Sequence, residues 1–324
     1  MAPVARLPSP VDGDRSPSIG TPAVPVPVGV VGASGVVGDR FRRRLASLRP
    51  DSLTLPLDTR TTSVARIVGR QPLDAVVLLQ PGAHLSLAVD FAALGVPVVS
   101  IGDQVADVRR LLALGSVAED ADVPLVVGAG MSPGLVALLA RHLSNGLERL
   151  DEIHVALHGT AGPSCARRHH RALAGHAVEW RDGHELDARA GTGRELVWFP
   201  EPVGAYDCYR AEMPTPIVLH RVFDGAERIT VRVSANRRDR LTSRLPMLTP
   251  PHREGGVGAV RVEVRGPGSS GERLALVAGI AELVGTAAAA TAVAITDRVL
   301  AGVVPSGVVA LGDDRLDTVE LLHL

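Results

Sequence analysis

Between residues 26 and 144, short apolar runs alternate with amphipathic segments, and this alternation constrains the fold more than any other feature. Continuous apolar runs are typical of strands that are buried on both faces of a sheet. Repeated strand–helix units of this length predict a doubly wound parallel sheet with helices on both faces. The predicted strands are residues 26–31, 53–57, 74–79, 96–101 and 123–129, and a helix is predicted after each of them.

The segment VGVVGASGVVGDRF joins the first predicted strand to the first predicted helix and spaces Gly32, Gly35 and Gly38 as G-x-x-G-x-x-G. In that position, helix N-terminal amides and bare glycine backbone can hold the pyrophosphate of a dinucleotide. The alternative is a tight turn, in a Rossmann-like domain, that binds nothing. The predicted cofactor-binding residues here are Gly32, Ala33, Ser34, Gly35, Val36 and Val37.

The second predicted strand ends in LDTR, where a dinucleotide site meets the adenosine ribose. Asp58 follows Gly38 by 20 residues, about where an acid would accept the ribose hydroxyls of NAD. Arg60 could instead bind the 2′-phosphate of NADP. Both residues could also belong to a solvated turn. The pair leaves the cofactor as NADP or NAD, and we lean slightly to NADP.

The ends of the later strands face the same crevice as the glycine loop, because ligands of doubly wound sheets bind beyond the carboxyl ends of the strands. The third strand ends at Gln80, Pro81 and Gly82, and the fourth is followed by Gly102 and Asp103, so we predict these as cofactor-binding residues. The fifth strand leads into GAGMSPGL, where Ser132 is the expected helix N-cap and Pro133 lies in the first turn. The predicted substrate-binding residues of this loop are Met131, Ser132, Pro133 and Gly134.

The motifs GASGVVG, LQPGAH…ALGVPVVSIGD and GAGMSPGLVALLA together resemble the saccharopine dehydrogenase-like (saccharopine reductase) family. The resemblance covers residues 26–144 well and continues more loosely beyond them. It implies an NAD(P)-binding Rossmann domain, a C-terminal substrate domain and hydride transfer. It does not define the substrate, since the family includes reductases of amino-acid imines, polyamine precursors and lipid intermediates.

The sequence departs from the family pattern in three places. Ser132 stands where the family often has Asp, and Ser100-Ile101 replaces the usual Tyr-Val before Asp103. Lysine-forming family members are thought to use a Lys–His pair, but all 34 Lys and Arg residues of this chain are Arg. The resemblance therefore disfavours a literal saccharopine dehydrogenase.

After residue 148 the pattern changes to mostly alternating apolar segments, which predict a second, α+β, mostly antiparallel domain. The segments IHVALHGT, RELVWFP, TPIVLHRV, RITVRVSA and GAVRVEVRG are predicted strands, and Asp182-Gly183 indicates a hairpin. A long helix, or two joined near Gly285, is predicted from residue 272. The predicted organisation is a disordered arm (1–24), a dinucleotide-binding domain (25–148), a substrate domain (149–271) and a C-terminal helix and tail packing back on the first domain (272–324).

The second domain offers three groups of candidate chemical residues. His158 ends its first strand and is suited to proton exchange near neutral pH, and Tyr206 and Tyr209 are alternative donors. The helix ARRHHRALAG is read as a solvated basic surface or as a site for an anionic substrate or cofactor phosphate, with Arg168 as the candidate ligand. No metal is expected, because adjacent histidines point about 100° apart on a helix. The long irregular segment 236–256 is a candidate lid in which Arg237 would clamp a carboxylate.

Composition excludes several other classes of function. A net charge of -1 and only eight aromatic residues argue against nucleic-acid binding. Two cysteines cannot make a disulfide framework, and the chain has no lysine for a Schiff base or a phosphate-binding loop. The longest apolar run near the end is too short and too rich in Ala to span a bilayer, and the N-terminus lacks the apolar core of a signal peptide. We therefore expect a cytoplasmic protein.

These observations favour an NAD(P)-dependent oxidoreductase that acts on a C=N or C=O carbon of a small anionic substrate between two domains. The alternative is a non-catalytic family member that serves as a cofactor-binding scaffold or sensor. The expected partner is a small-molecule substrate, with no nucleic acid and no membrane. A homodimer formed through the second domain is a further hypothesis.

Overall fold

A computed structural model describes residues 25–324, so the predicted disordered arm lies outside the described residues. Its first sheet has six parallel strands in the order β14-β5-β4-β3-β1-β2. The order reverses between β1 and β3, which is the switch point where ligands of doubly wound sheets bind. The strands are β1 (Val26–Val31), β2 (Ser52–Leu57), β3 (Ala75–Leu78), β4 (Val98–Ser100), β5 (Pro124–Val127) and β14 (Gly307–Ala310).

Helices cover both faces of this sheet. One face packs against α1 and α10, and the other packs against α2 to α5. The segment after β4 was predicted as one helix but forms two, α4 and α5, because the helix is interrupted at residues 113–114. The helices are α1 (Val36–Leu48), α2 (Val64–Arg70), α3 (Leu85–Ala92), α4 (Val105–Leu112), α5 (Gly115–Asp120), α6 (Val136–Ser144), α10 (Val284–Leu300) and α11 (Thr318–His323).

The second sheet has eight strands and is mostly antiparallel, with one parallel pair, β6 and β11. Its inner face packs against α6, α7 (Pro163–Ala172) and α8 (Thr215–Val222), and a short helix α9 (Arg237–Thr242) follows β11. The predicted fold class, a Rossmann-like parallel sheet with a second α+β part, is confirmed. The strands are β6 (Glu152–His158), β7 (His176–Arg181), β8 (His184–Arg189), β9 (Glu195–Phe199), β10 (Gly204–Arg210), β11 (Arg228–Ser234), β12 (Val257–Pro267) and β13 (Arg273–Leu283).

Two predicted elements are wrong in type. TPIVLHRV was predicted as a strand from its β-branched residues, but it forms α8, with Pro216 in the first helical turn, where proline fits. Residues 273–283 were predicted to begin a long helix, but they form β13, which pairs with β12 along its whole length. Leu and Ala favour helices, and the long antiparallel pairing overrides that preference. Only the part of the predicted helix from Val284 onward is helical in the structure, as α10.

Candidate active site

The glycine loop between β1 and α1 is a close-packed turn that needs two of its three glycines for space. Gly32 has φ +86°, and a Cβ there would lie 2.6 Å from the backbone nitrogen of Gln80. A Cβ on Gly38 would overlap the Gly32 carbonyl oxygen and the backbone of Ala33. These two glycines therefore bring the loop against β3 and seat α1 on the loop.

Gly35 has a different role, because the space beside it is open. A Cβ there would meet only the Gly32 carbonyl oxygen, at 3.3 Å. Gly35 is the N-cap of α1, and no side chain caps that helix end. The first amides of a helix without a side-chain cap attract an anion, and the helix dipole adds to the attraction. The loop therefore fits the pyrophosphate of a dinucleotide.

The tips of β3 and β4 are held by a buried network around His84. Its Nε2 donates to the Gln80 carbonyl at 2.9 Å, so its Nδ1 accepts from the Ser100 hydroxyl at 2.7 Å. The Ser100 oxygen in turn accepts from the Gly102 amide at 3.1 Å. Burial lowers the pKa of His84, which agrees with this neutral tautomer. The network fixes the two strand ends that line the cleft.

The largest cavity of this region measures about 610 Å³, a volume typical of small-molecule and cofactor sites. One wall is the Rossmann sheet edge, and the other is the start of α7 in the second sheet's layer. The start of α7 lies close to α1: a Cβ added at Gly162 would lie 3.2 Å from Val36 Cγ2. The lining residues are 34–37, 79–82, 101–104 and 161–165, together with Arg167, Arg168 and Arg171.

A smaller cavity of about 130 Å³ adjoins the large one. The two share Val37, Ile101, Asp103, Ala161, Cys165 and Arg168 as lining residues. The smaller cavity is mainly apolar, with side chains from Met131, Met213 and Val284 in its wall, and it carries a few polar groups. A small apolar cavity with a few convergent polar groups is typical of a site that orients one reacting group.

Three titratable side chains lie at or near the junction of the cavities. Burial raises the pKa of Asp103, and the charge of Arg168 partly offsets this. Burial raises the pKa of the Cys165 thiol to about 11, so the thiol is protonated at neutral pH. Burial, with the neighbouring charge of Arg168, lowers the pKa of His169 to about 4. At neutral pH the cavity therefore holds a neutral imidazole and a neutral thiol beside a carboxyl whose pKa lies above its usual range.

The low pKa of His169 predicts a loss of stability in acid. Between pH 6.5 and about 4 the unfolded chain binds a proton that the folded chain does not, so unfolding becomes easier as pH falls through this range. The loss is at most about 3 kcal/mol at about 1.4 kcal/mol per pKa unit. Denaturant unfolding at pH 7 and pH 4.5 should show a smaller pH dependence in His169→Gln than in the wild type. The matched control, His184→Gln on exposed β8, should keep the wild-type pH dependence; equal dependence in all three proteins would contradict the assignment.

The loop after β5 differs from its predicted form. Ser132 is not the N-cap: its backbone is non-helical inside a π-helical turn, Met131–Leu135, which precedes α6. Its hydroxyl instead shares a hydrogen bond of 2.7 Å with the hydroxyl of buried Thr215 at the start of α8. Met131 and Ser132 line the smaller cavity, whereas Pro133 packs on Gly128 and Gly134 packs on the Gly128 carbonyl. The last two residues therefore shape the loop and do not line the cleft.

His158 does not present its ring to the cleft. Leu157 beside it packs in the core that faces α6 and α8, and neighbouring strand residues point to opposite faces. The His158 ring lies on the far face, 4.2 Å from the Tyr206 ring, and its Nδ1 bonds the Ser234 hydroxyl at 2.9 Å. His158 is nevertheless among the residues that line the smaller cavity. These ring contacts favour a different proton donor, and the role of His158 in proton transfer stays a prediction.

Three other predicted residues of the second domain, Tyr206, Tyr209 and Arg237, line neither cavity. Tyr206 is on the far face with His158, and Tyr209 is buried under the Arg240 guanidinium. Arg237 is exposed at the start of α9 and lines neither cavity. Arg168, by contrast, lines both cavities and donates to the Asp103 carbonyl at 3.0 Å.

Asp58 and Arg60 lie at the end of β2, outside both cavities. The Arg60 backbone amide and the Thr61 hydroxyl donate to the Asp58 carboxylate, at 3.1 and 3.0 Å, and lower its pKa. The Arg60 side chain is 91% exposed and its Nε lies 3.4 Å from the carboxylate. The carboxylate is thus already bonded locally, and the exposed Arg60 guanidinium makes only a long contact with it.

Sequence reasoning missed most of the wall that α7 supplies. Arg167 and Arg171 are four residues apart, so they share a face, and this face lines the large cavity. His169 lines the smaller cavity, while His170 points elsewhere and bonds the Thr242 carbonyl at 2.9 Å. From the sequence, this segment was predicted to be either a solvated basic helix or an anion-binding site. The position of Arg167, Arg168 and Arg171 in the wall of the large cavity favours the second prediction.

The architecture resembles solved dehydrogenases. Saccharopine dehydrogenase (L-Glu forming) from Saccharomyces cerevisiae matches 92% of this chain over 96% of its own, with a TM-score of 0.65 and 12% identity. An engineered D-amino acid dehydrogenase matches 91% of the chain over 95% of its own, at TM-score 0.52 and 16% identity. A meso-DAPDH variant from Clostridium tetani, solved with DAP, matches 91% over 96%, at TM-score 0.50 and 12% identity.

These comparisons establish the fold: a Rossmann-like parallel sheet with a second, mostly antiparallel sheet, arranged similarly to the saccharopine dehydrogenase structure. No family model matches the sequence, and no curated protein matches it. The predicted resemblance to saccharopine dehydrogenase-like proteins is confirmed for the fold. Across residues 25–324, no helix has the length and apolar character to cross a bilayer.

Proposed function

We propose that this protein is an NAD(P)-dependent oxidoreductase of the saccharopine dehydrogenase-like type. The observation that carries the proposal is the joined pair of cavities at the switch point of the parallel sheet. The large cavity begins at the glycine loop and ends at Asp103, where the small cavity begins. This order matches a dinucleotide whose reactive end reaches a separate substrate chamber.

The residues of the large cavity fit a dinucleotide in charge and in hydrogen bonding. The start of α1 faces Arg167 and Arg171 across the cavity, so backbone amides and guanidinium groups converge on one groove. Gln80 Oε1 is buried without a hydrogen-bond partner among the described residues. A buried acceptor without a partner is costly, and a donor on a bound cofactor would satisfy it.

The substrate is a small molecule with an anionic group and a C=N or C=O carbon. When bound, the nicotinamide would give hydride to that carbon or take it away. Arg168 would hold the anionic group: its Nε is buried without a partner among the described residues, although its Nη2 is already engaged. The apolar side chains around Met131 and Met213 would enclose the carbon part of the substrate and exclude water.

Asp103 is the proposed proton donor in the reducing direction and the acceptor in the oxidising one. It lies where the two cavities meet, and burial holds its pKa above the usual range. A carboxyl with a raised pKa can protonate the nitrogen or oxygen that becomes electron-rich when the carbon accepts hydride. His169 stays neutral beside it and can hydrogen-bond the substrate.

Titration with NADH and NADPH tests the proposal, followed by an oxidation screen. Amino acids test the oxidising direction, and pairs of keto acids and amines test the reducing one. Binding of either nucleotide with turnover of at least one substrate pair would support an oxidoreductase. Binding without turnover would favour the alternative, a cofactor-binding scaffold or sensor, and no binding of either nucleotide would contradict both.

The proposed preference for NADP over NAD depends on Arg60, which would bind the 2′-phosphate. Arg60→Ala should weaken NADPH binding by about 1–3 kcal/mol, the order of a hydrogen bond to a charged group, and barely affect NADH. The reason is that the Asp58 carboxylate is bonded to the Arg60 amide and the Thr61 hydroxyl, so the exposed Arg60 guanidinium is available for a 2′-phosphate. Calorimetry with both nucleotides measures this, with Arg66→Ala on α2 as the control. Equal weakening of NADH and NADPH would exclude Arg60 as the discriminating residue.

The homodimer and the cytoplasmic location stay predictions. Two large apolar side chains of the second sheet are exposed on edge strand β9: Leu196 at 60% and Trp198 at 69%. An exposed apolar pair on an unpaired edge favours contact with another surface. Light scattering of the wild type and of Trp198→Ser would test whether that contact is a second copy.

A further inference from the structure

A third cavity, of about 390 Å³, lies in the second part of the molecule and shares no lining residue with the cleft. It is bounded by the end of α7 at Leu173, by the turn after β8 around Gly191, and by α9 with the residues that follow it. The opposite end of α7 lines the cofactor cleft, so the two sites lie at the two ends of one helix.

The charge around this cavity is of one sign. Arg189, Arg240 and Arg244 line it, and no Asp or Glu does. Among the described residues, these three side chains form no ion pair. Many other arginines of the chain are paired, such as Arg109 with Glu185 and Arg194 with Asp207. Three like charges facing one space repel each other, and a bound anion relieves that repulsion.

Contacts hold the Arg240 side chain and the backbone around Arg189 and Arg240 in place. The Arg240 guanidinium lies 4.3 Å from the centre of the buried Tyr209 ring, a cation–π contact that orients it. The Ser243 hydroxyl donates to the Arg240 carbonyl at 2.9 Å, and the Thr192 hydroxyl donates to the Arg189 carbonyl at 2.6 Å. His170 of α7 fixes the end of α9 through the Thr242 carbonyl, at 2.9 Å. Ligand binding here would therefore order little backbone.

We propose that this cavity binds a small organic polyanion, with at least two negative oxygen groups, at a site separate from the active site. Guanidinium groups bind carboxylates and phosphates in paired hydrogen bonds, and three of them around one space select multiply charged ligands. A phosphate ester and a polycarboxylate share this chemistry. The proposal does not depend on the oxidoreductase function.

Calorimetry with citrate and with inorganic pyrophosphate tests the site and separates its two possible ligand classes. The wild type should bind at least one of them, and more weakly as salt increases. The double variant R189Q/R244Q keeps Arg240 on Tyr209 and should bind that probe at least about tenfold more weakly, the loss expected for charge-assisted contacts. Circular dichroism shows whether the variant is folded.

Two control variants give the test its specificity. Arg238→Gln lies on the same helix but does not line the cavity, and Arg167→Gln lies in the cofactor cleft. Arg238→Gln should retain wild-type affinity for the probe, whereas Arg167→Gln should remove only the part of the pyrophosphate binding that belongs to the cofactor cleft and should leave citrate binding unchanged. The proposal is overturned if neither probe binds the wild type, if the double variant binds equally well, or if Arg167→Gln removes the binding. A failure of nucleotide binding would bear on the oxidoreductase and leave this result unchanged.

Discussion

Replacing Gly35 with aspartate is expected to abolish binding of NADH and NADPH while the protein stays folded. The space beside Gly35 is open apart from the Gly32 carbonyl oxygen, so the fold tolerates a side chain there. The new carboxylate would occupy the groove at the start of α1 and repel the pyrophosphate from the amides that would bind it. We expect affinity to fall by at least about 100-fold, the order of a lost charge-assisted contact together with repulsion. Calorimetry with both nucleotides measures it.

A matched glycine separates this effect from a general effect of added charge. Gly225 also has open space around it and lies in a turn away from the cleft, so Gly225→Asp should leave nucleotide binding unchanged. Gly38→Ala is the opposite control, because its Cβ would overlap the Gly32 carbonyl and disturb the loop itself. It should lower both binding and thermal stability. Unchanged affinity in Gly35→Asp would remove the glycine loop from the cofactor site.

The first half of the fold could be predicted because its signals are local. Buried parallel strands are continuous apolar runs, and the glycine spacing marks the turn that follows β1. The sixth strand, β14, could not be predicted in this way: it comes from residues near the C-terminus, and only the pairing with β5 identifies it as part of the first sheet. The errors at α8 and β13 have the same cause, since tertiary pairing and burial override local preference there.

The candidate site was predictable only on its Rossmann side. Residues 34–37, 79–82 and 101–104 line the cleft, because topology alone brings the ends of β1, β3 and β4 to one edge, and their binding of a cofactor stays a prediction. The opposite wall depends on how α7 packs across the cleft, and the sequence of α7 does not predict which of its faces lines the cavity. His158 shows the limit of sequence analysis: it lies at the predicted strand end, but the strand's alternation, set by the packing of Leu157, turns its ring to the far face.

Asp103→Asn is expected to lower turnover by about 100-fold or more, the range for loss of a positioned proton donor. Asn has the same shape but cannot give up a proton, so cofactor binding and the fold should change little. The carboxyl lies where the cofactor and substrate cavities meet, and burial raises its pKa. Single-turnover kinetics, combined with nucleotide titration, separates a loss of chemistry from a loss of binding.

The controls for this prediction come from the other titratable side chains. His158→Asn should keep near-normal turnover, because its ring lies on the far face of β6. His169→Gln keeps a hydrogen-bonding side chain in the smaller cavity and should raise KM more than it lowers kcat. The rate of the wild type should also decrease in the reducing direction as pH rises through the raised pKa of Asp103, because the acid form is lost. Asp103→Asn should lack that pH dependence; turnover within about tenfold of the wild type, or a retained pH profile, would assign proton transfer to another group.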